Sequence, residues 1–215
     1  MTDFAAARRN MVDGQVRTAD VTDMRILAAM QEVPRERFLP PASAGIAYLD
    51  LDVAVSKDRR LLKPMVFAKL LQAADISGTD LVLDVGCATG YSAAVIARLA
   101  GQVVALEEDP ALARAATEAL ASIPNVTVAS VTLREGWPPA GPYDVILVEG
   151  AVEEVPPPLF RQLKDGGRLL CVLGAGPGAK AMIYRRSGDD IGALAIFDAA
   201  AMLLPGFAKP REFAF

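Results

Sequence analysis

The segment 81–91, LVLDVGCATGY, constrains the fold of this chain more than any other stretch. Its first half is a short apolar run that predicts a buried β-strand, and its second half predicts a tight turn that opens a helix. Gly86 and Gly90 lack a Cβ, so they permit a sharp turn and the close approach of a ligand to the backbone. A strand, a glycine turn and a helix in this order indicate an α/β domain with a parallel sheet.

The sequence after this segment continues to alternate between strand and helix. Apolar runs predict strands at 103–106, 126–131, 145–148, 168–173, 181–185 and 193–197, with helices at 92–100, 110–122 and 158–164. Earlier in the chain, apolar spacing predicts one helix with Thr22 as its N-cap and another from Pro64. We therefore predict a Rossmann-like three-layer α/β sandwich over residues 76–215, with an N-terminal helical extension (1–75) that packs on this core.

The chain contains no histidine, which excludes several kinds of catalytic site. Ser-His-Asp and Cys-His catalysis need an imidazole and zinc sites commonly use one, so we predict no bound metal. The two cysteines, Cys87 and Cys171, suit a reduced cytoplasmic protein and are expected to be packing residues. A net charge of −4 argues against a nucleic-acid partner, and no apolar run is long enough for a membrane span. The oligomeric state stays open.

Two carboxylates accompany the glycine turn and indicate which cofactor it binds. Asp84 precedes the first glycine, and Glu107 ends the next predicted strand, where an acidic side chain accepts hydrogen bonds from both ribose hydroxyls. A dinucleotide site has the pattern G-x-G-x-x-G, and a carboxylate at Asp84 would repel its pyrophosphate. The same carboxylate suits S-adenosylmethionine, which carries an ammonium and a sulfonium. We therefore predict S-adenosylmethionine; the alternatives are an NAD-dependent oxidoreductase and a turn that binds nothing.

Short blocks on both sides of the glycine turn follow a pattern of their own. Residues 11–17, MVDGQVR, match M-V-x-x-Q-L-R, and further blocks lie at 29–30, 33–35, 37–40, 47–50, 136–138, 142–146 and 163–169. By these blocks the chain resembles the protein-L-isoaspartate (D-aspartate) O-methyltransferase family over residues 8–174. The resemblance implies a methyltransferase that methylates the α-carboxylate of isoaspartyl residues in damaged proteins or peptides, a step of protein repair. A carboxylate is already ionised at pH 7, so this nucleophile needs no general base.

The resemblance also implies a set of cofactor-binding residues and a substrate loop in the N-terminal segment. The cofactor-binding residues are Asp84, Gly86, Cys87, Ala88, Gly90, Tyr91, Glu107, Thr132, Leu133 and Glu149. Tyr91 is expected either to flank the cofactor or to pack in the core. Thr132 stands where the family has an aspartate that reads the adenine amino group, and its hydroxyl accepts a weaker hydrogen bond than a carboxylate does.

The substrate-contacting motif of the family is replaced in this chain. Where the family has T-I-S-x-P, residues 60–64 read R-L-L-K-P, which puts Leu62 in the place of the serine. One hypothesis is that Arg59, Arg60 or Lys63 binds the substrate carboxylate. The catalytic residues stay unknown, and Arg60 and Lys63 are the candidates for carboxylate binding. The alternative is a solvated loop formed by Lys57, Asp58, Arg59 and Arg60. A second hypothesis is that the chain binds the cofactor but has lost isoaspartyl repair, and is a regulatory or binding module or methylates another substrate.

Overall fold

A seven-stranded sheet forms the centre of the structure, a computed structural model that describes residues 3–209. The helices are α1 (Phe4–Met11), α2 (Met24–Glu32), α3 (Pro64–Ala74), α4 (Tyr91–Ile96), α5 (Pro110–Leu120) and α6 (Pro157–Arg161). A separate two-stranded hairpin consists of β1 (Val53–Ala54) and β2 (Arg60–Leu61). The strands of the main sheet are β3 (Leu81–Val85), β4 (Gln102–Leu106), β5 (Val126–Ala129), β6 (Tyr143–Val152), β7 (Leu163–Leu173), β8 (Lys180–Ser187) and β9 (Asp190–Asp198).

The order of the strands indicates where along the carboxyl ends of the sheet a ligand binds. The order is β5-β4-β3-β6-β7-β8-β9, in which β3 to β7 pair in parallel and β8 and β9 are antiparallel. The chain winds outward from β3 to β5 and then returns to the other side of β3 at β6. In such sheets ligands bind outside the carboxyl ends of the strands where the order reverses, here β3 and β6. The predicted Rossmann-like α/β fold is confirmed.

Two layers of apolar side chains cover the two faces of the sheet. Leu70 of α3 and Ala93 of α4 belong to one buried cluster, which also includes Met11 and Leu27 from the first helices. Phe207, near the end of the described chain, belongs to the other cluster, beside the residues of α6. The N-terminal helices therefore bury their apolar faces in the same cluster as the helices that pack on the sheet, which accounts for their stability. No helix within residues 3–209 is long and apolar enough to cross a membrane.

Several predicted element boundaries differ from the observed ones. The N-cap of α2 is Asp23, whose carboxylate accepts from the Arg25 amide at 2.8 Å, so the prediction of Thr22 as the cap was wrong. The carboxylate of Asp23, directly before the helix, accepts the hydrogen bond from the first turn that Thr22 was expected to accept. The amide of Thr22 instead donates to Oε1 of Gln72. Strand β7 begins at Leu163, earlier than predicted, because that residue pairs with Tyr143 across the sheet. Pairing with a neighbouring strand, which local sequence does not record, determines where these strands begin.

Candidate active site

The glycine turn between β3 and α4 has the sharp geometry that the sequence predicts. Gly86, Ala88 and Gly90 have φ angles of 84°, 52° and 96°, all in the region that favours glycine. The amide of Gly86 donates to the carbonyl of Leu106 at 2.8 Å, which fastens the turn to the end of β4. A Cβ at Gly90 would lie 2.8 Å from Cδ1 of Leu120, so a side chain there would displace Leu120 as well as strain the backbone. The turn thus lies at the carboxyl end of the sheet, where ligands bind.

Glu107 lies directly after β4, with its carboxylate facing the glycine turn. Its side chain is 1% exposed. Oε2 accepts from the amide of Ala88 and from Nη2 of Arg59, both at 2.8 Å. Oε1 accepts from the amides of Glu108 at 2.9 Å and of Asp109 at 3.0 Å. The carboxylate is therefore held in one orientation, and each of its oxygens accepts two hydrogen bonds.

Arg59 is the residue whose position differs most from the expectations. Its side chain is only 4% exposed, and Nη2 donates both to Glu107 and to the carbonyl of Gly86. Within the described chain, its Nε and Nη1 have no hydrogen-bond partner. The alternative of a solvated loop is wrong for Arg59, because its guanidinium is buried against the turn. Arg60 is exposed and Lys63 is half-buried.

Two further carboxyl groups lie at the ends of neighbouring strands of this site. Asp84 is fully buried in β3 and accepts from the Ser92 hydroxyl at 2.7 Å, while its Oδ1 has no partner among residues 3–209. Burial raises the pKa of Asp84 to about 7, although the hydrogen bond from Ser92 opposes the shift. Glu149 in β6 is also buried, with Oε1 likewise unpartnered there, and burial raises its pKa well above the usual range. Such a pair favours a cationic ligand, which would stabilise the ionised forms.

A buried cation–aromatic pair supports the site from the N-terminal side. The Arg35 guanidinium lies 4.8 Å from the centre of the Tyr91 ring, and both side chains are fully buried. Arg35 donates from Nε to the carbonyl of Ala47 at 2.9 Å and from Nη2 to the carbonyl of Leu62 at 2.8 Å. Arg35 therefore positions the segment that replaces the family's substrate motif. Arg35 was not among the site residues predicted from the sequence. The one sequence feature that could have indicated it is the V-P-R block at residues 33–35.

A cleft of about 350 Å³ opens beside Glu107 and Arg59. Leu133 lines it and is fixed by its amide, which donates to a Glu108 carboxylate oxygen at 3.0 Å. Thr132, the preceding residue, is exposed. The cleft is lined by Ser56, Lys57, Asp58, Arg59, Glu107, Glu108, Asp109, Leu133 and Pro205.

A second, much smaller cavity lies on the other side of the turn. Gly86 and Cys87 line it, and burial raises the pKa of the Cys87 thiol well above its usual value, which keeps the thiol protonated and inert. Arg60, Leu62 and Glu149 line this cavity too. In the described part of the chain, no three side chains of the metal-ligating types cluster closely enough to hold a metal ion. Of the predicted cofactor-binding residues, Glu107 and Leu133 line the cleft, and Gly86, Cys87, Tyr91 and Glu149 line the small cavity.

Comparison with known proteins connects this site to one family. The family model described as Protein-L-isoaspartate(D-aspartate) O-methyltransferase matches residues 6–198. "Protein-L-isoaspartate O-methyltransferase 1" of Rhodopseudomonas palustris (strain HaA2) is 39% identical over 194 residues, which cover 88% of this chain and 79% of that protein. "Protein-L-isoaspartate O-methyltransferase" of Methanoregula boonei is 38% identical over 184 residues, 85% of each chain.

Solved structures show the same relationship. A structure titled protein-L-isoaspartate O-methyltransferase superposes with a TM-score of 0.80 at 26% identity, over 92% of this chain and 66% of that one. A Plasmodium falciparum structure, titled as a putative protein-L-isoaspartate O-methyltransferase in complex with S-adenosyl-L-homocysteine, has a TM-score of 0.78 at 17% identity over 92% of this chain and 97% of its own, and shares the fold. The matched family model spans most of the chain, and relatives near 39% identity agree with it. The chain therefore belongs to the protein-L-isoaspartate(D-aspartate) O-methyltransferase family.

Proposed function

We propose that this protein transfers the methyl group of S-adenosylmethionine to the α-carboxylate of isoaspartyl residues in damaged proteins or peptides. The observation that carries the proposal is the placement of Asp84 and Glu107 at the carboxyl ends of adjacent strands, on either side of the glycine turn. This placement occurs in a chain that belongs to a family of carboxyl methyltransferases. The reaction is the one for which relatives of this chain are named.

The buried polar groups of the site fit this cofactor. We expect Glu107, whose carboxylate faces the glycine turn, to accept from the ribose hydroxyls. Oδ1 of Asp84 and Oε1 of Glu149, which have no partner within residues 3–209, suit the positive charges of the methionine part. Gly86 has no side chain on the face that the Arg59 guanidinium now covers, and Leu133 of the cleft offers an apolar contact for the adenine. When bound, the cofactor supplies an electrophilic methyl group. The residues of the protein orient it and exclude water.

The substrate carboxylate is the nucleophile, so the protein's task is to align it with the methyl group. Arg60 lines the small cavity beside the turn and a further cavity of similar size, and Leu62 and Glu149 line both of them, which supports a role for its positive charge near the cofactor. The amide of Lys63 donates to Asp52 at 2.8 Å and fixes the backbone there. We propose that Arg60 is the main carboxylate-binding residue and that the N-terminal segment contributes this substrate loop. A guanidinium matches a carboxylate with two parallel hydrogen bonds.

Methyl transfer from labelled S-adenosylmethionine to an isoaspartyl peptide tests the proposal, with the matching aspartyl peptide as control. The expected result is transfer to the isoaspartyl peptide only. Arg60→Ala should raise the KM for the peptide by about 10-fold or more, because a hydrogen bond to a charged group is lost. Arg114→Ala, which removes an exposed cation from α5, is the matched control and should leave the KM unchanged.

A second candidate function is a cofactor-binding protein that has lost isoaspartyl repair. The observation that favours it is Leu62, which stands where the family has a serine and is buried and apolar. Binding of S-adenosylhomocysteine without any turnover of the isoaspartyl peptide would select this alternative. A parallel titration with NAD tests the oxidoreductase hypothesis. A cytoplasmic location also belongs to the proposal, supported by Cys87 and Cys171, which are buried free thiols.

A further inference from the structure

The guanidinium of Arg59 occupies part of the space that the proposed cofactor requires. We propose that Arg59 is an internal competitor of S-adenosylmethionine: the turn 55–59 of the β1–β2 hairpin holds it in the cleft, and it must leave before the cofactor binds. This inference rests on the proposed function. It adds a binding equilibrium that is built into the fold and that sets the apparent affinity for the cofactor.

The guanidinium of Arg59 blocks the side of Gly86 that has no side chain. A Cβ built on Gly86 would lie 2.9 Å from Nη2 and 3.2 Å from Nη1 of Arg59. The guanidinium therefore lies directly against the face that glycine leaves free for a ligand. Nη2 also donates to the carbonyl of Gly86. A ligand cannot approach this backbone while the guanidinium remains there.

Arg59 also uses part of the hydrogen-bonding capacity of Glu107. A carboxylate offers about four lone-pair positions, and in this structure Glu107 accepts four hydrogen bonds. Three of the donors are backbone amides fixed by the turn and by the start of α5. Arg59 is the one donor that belongs to a side chain. Its departure is therefore the step that frees an acceptor position for a ribose hydroxyl.

The buried carboxyl groups of the site favour a positive charge at this position. Asp84, Glu107 and Glu149 bring three buried carboxyl groups to the ends of adjacent strands. Both Asp84 and Glu149 are affected by the charge of Arg59, which lowers their pKa against the larger effect of burial. S-adenosylmethionine is itself cationic at its sulfur and its amino group. Exchange of Arg59 for the cofactor therefore keeps a positive charge beside these carboxyl groups.

The Arg59 side chain can leave the cleft without unfolding the hairpin. The amides of Val55 and Ser56 donate to the carbonyl of Arg59, so the turn is held by backbone bonds. Lys57 and Asp58 at its tip are exposed. Nε and Nη1 of Arg59, unpartnered within residues 3–209, gain hydrogen bonds to water when the side chain swings outward. That gain offsets part of the lost ion pair.

Calorimetric titration with S-adenosylhomocysteine tests the proposal on the wild type, Arg59→Ala and Arg59→Gln. Removal of the competitor should tighten binding by about 10-fold, which corresponds to an open conformation populated about one tenth of the time in the wild type. Arg114→Ala, which removes an exposed cation from α5 away from the cleft, should leave the Kd within about twofold. Thermal melts check that each variant is folded. If Arg59→Ala does not fold, the Kd of Arg59→Gln is compared with that of the wild type.

An affinity that is unchanged or weaker in the Arg59 variants would overturn the proposal, and weaker binding would make Arg59 a cofactor contact. Methyl transfer to the isoaspartyl peptide by the wild type is measured separately. Turnover together with unchanged affinity in the variants refutes this inference alone. Absence of binding in the wild type and in both variants refutes the inference and the proposed cofactor together.

Discussion

Replacement of Asp84 by asparagine should change how the stability of the ligand-free protein depends on pH. Burial raises the pKa of Asp84 from 3.8 to about 7 in the folded state. The folded protein therefore holds this proton over a range where the unfolded chain releases it. The resulting penalty on folding is absent below the unfolded pKa, grows as the pH rises, and is fully present above the folded pKa. At about 1.4 kcal/mol per pH unit, it reaches about 4 kcal/mol at pH 8.

Between pH 5.5 and pH 8 the same two pKa values make wild-type folding less favourable by about 2 kcal/mol. The asparagine side chain does not ionise, so the variant has no such penalty, and its amide oxygen still accepts from Ser92. The pH dependence of Asp84→Asn should therefore be flatter by about 2 kcal/mol, or about 4 to 8 °C in Tm for a chain of this length. Urea denaturation at the two pH values measures the difference directly.

The control for this measurement is Asp189→Asn, at the exposed turn between β8 and β9. Its pH dependence should follow the wild type. Equal pH slopes for the wild type and Asp84→Asn would refute the reasoning, because burial of an ionisable Asp84 would then carry no cost. A steeper slope in the variant would contradict the sign of the pKa shift.

Three further predictions follow from the same geometry. The affinity for S-adenosylmethionine should rise severalfold from pH 6 to pH 7.5, because Asp84 becomes ionised over that range; calorimetry at constant salt measures it, and a flat profile would contradict it. Gly90→Ala should destabilise the fold by about 1 to 3 kcal/mol, since the φ of Gly90 is 96° and the added Cβ would meet Leu120. Chemical denaturation measures this loss. Gly14→Ala is the control and should be near neutral, because no described atom lies within 4 Å of the added Cβ. Phe207→Ala should cost about 3 to 5 kcal/mol of unfolding free energy because the ring is fully buried; Met24→Ala, 63% exposed, is the control, and similar losses for the two would refute the argument.

Local pattern was sufficient for the elements around the glycine turn. The strand β3, the start of α4 and the end of β4 follow from short apolar runs and from glycine, because these signals act within a few residues. The lengths of β6 and β7 were not predictable in this way, since each strand extends as far as its neighbour pairs with it. The choice of Asp23 over Thr22 as N-cap likewise depended on Gln72, which lies on another helix and bonds to Thr22.

The sequence by itself was sufficient to predict the class of fold, the family, and Asp84 and Glu107 as candidate cofactor-binding residues. Each of these predictions depends on short motifs that can be recognised without the tertiary structure. Only the tertiary structure decided what the charged stretch before α3 does. Whether Arg59 points to water or into the cleft depends on a contact with Glu107, 48 residues away. The balance between its desolvation and its ion pair exists only once β4, the turn and the hairpin are assembled. The sequence alone left Arg59 either in solvent or at the substrate. In the folded protein its guanidinium lies against the glycine turn that first indicated the cofactor.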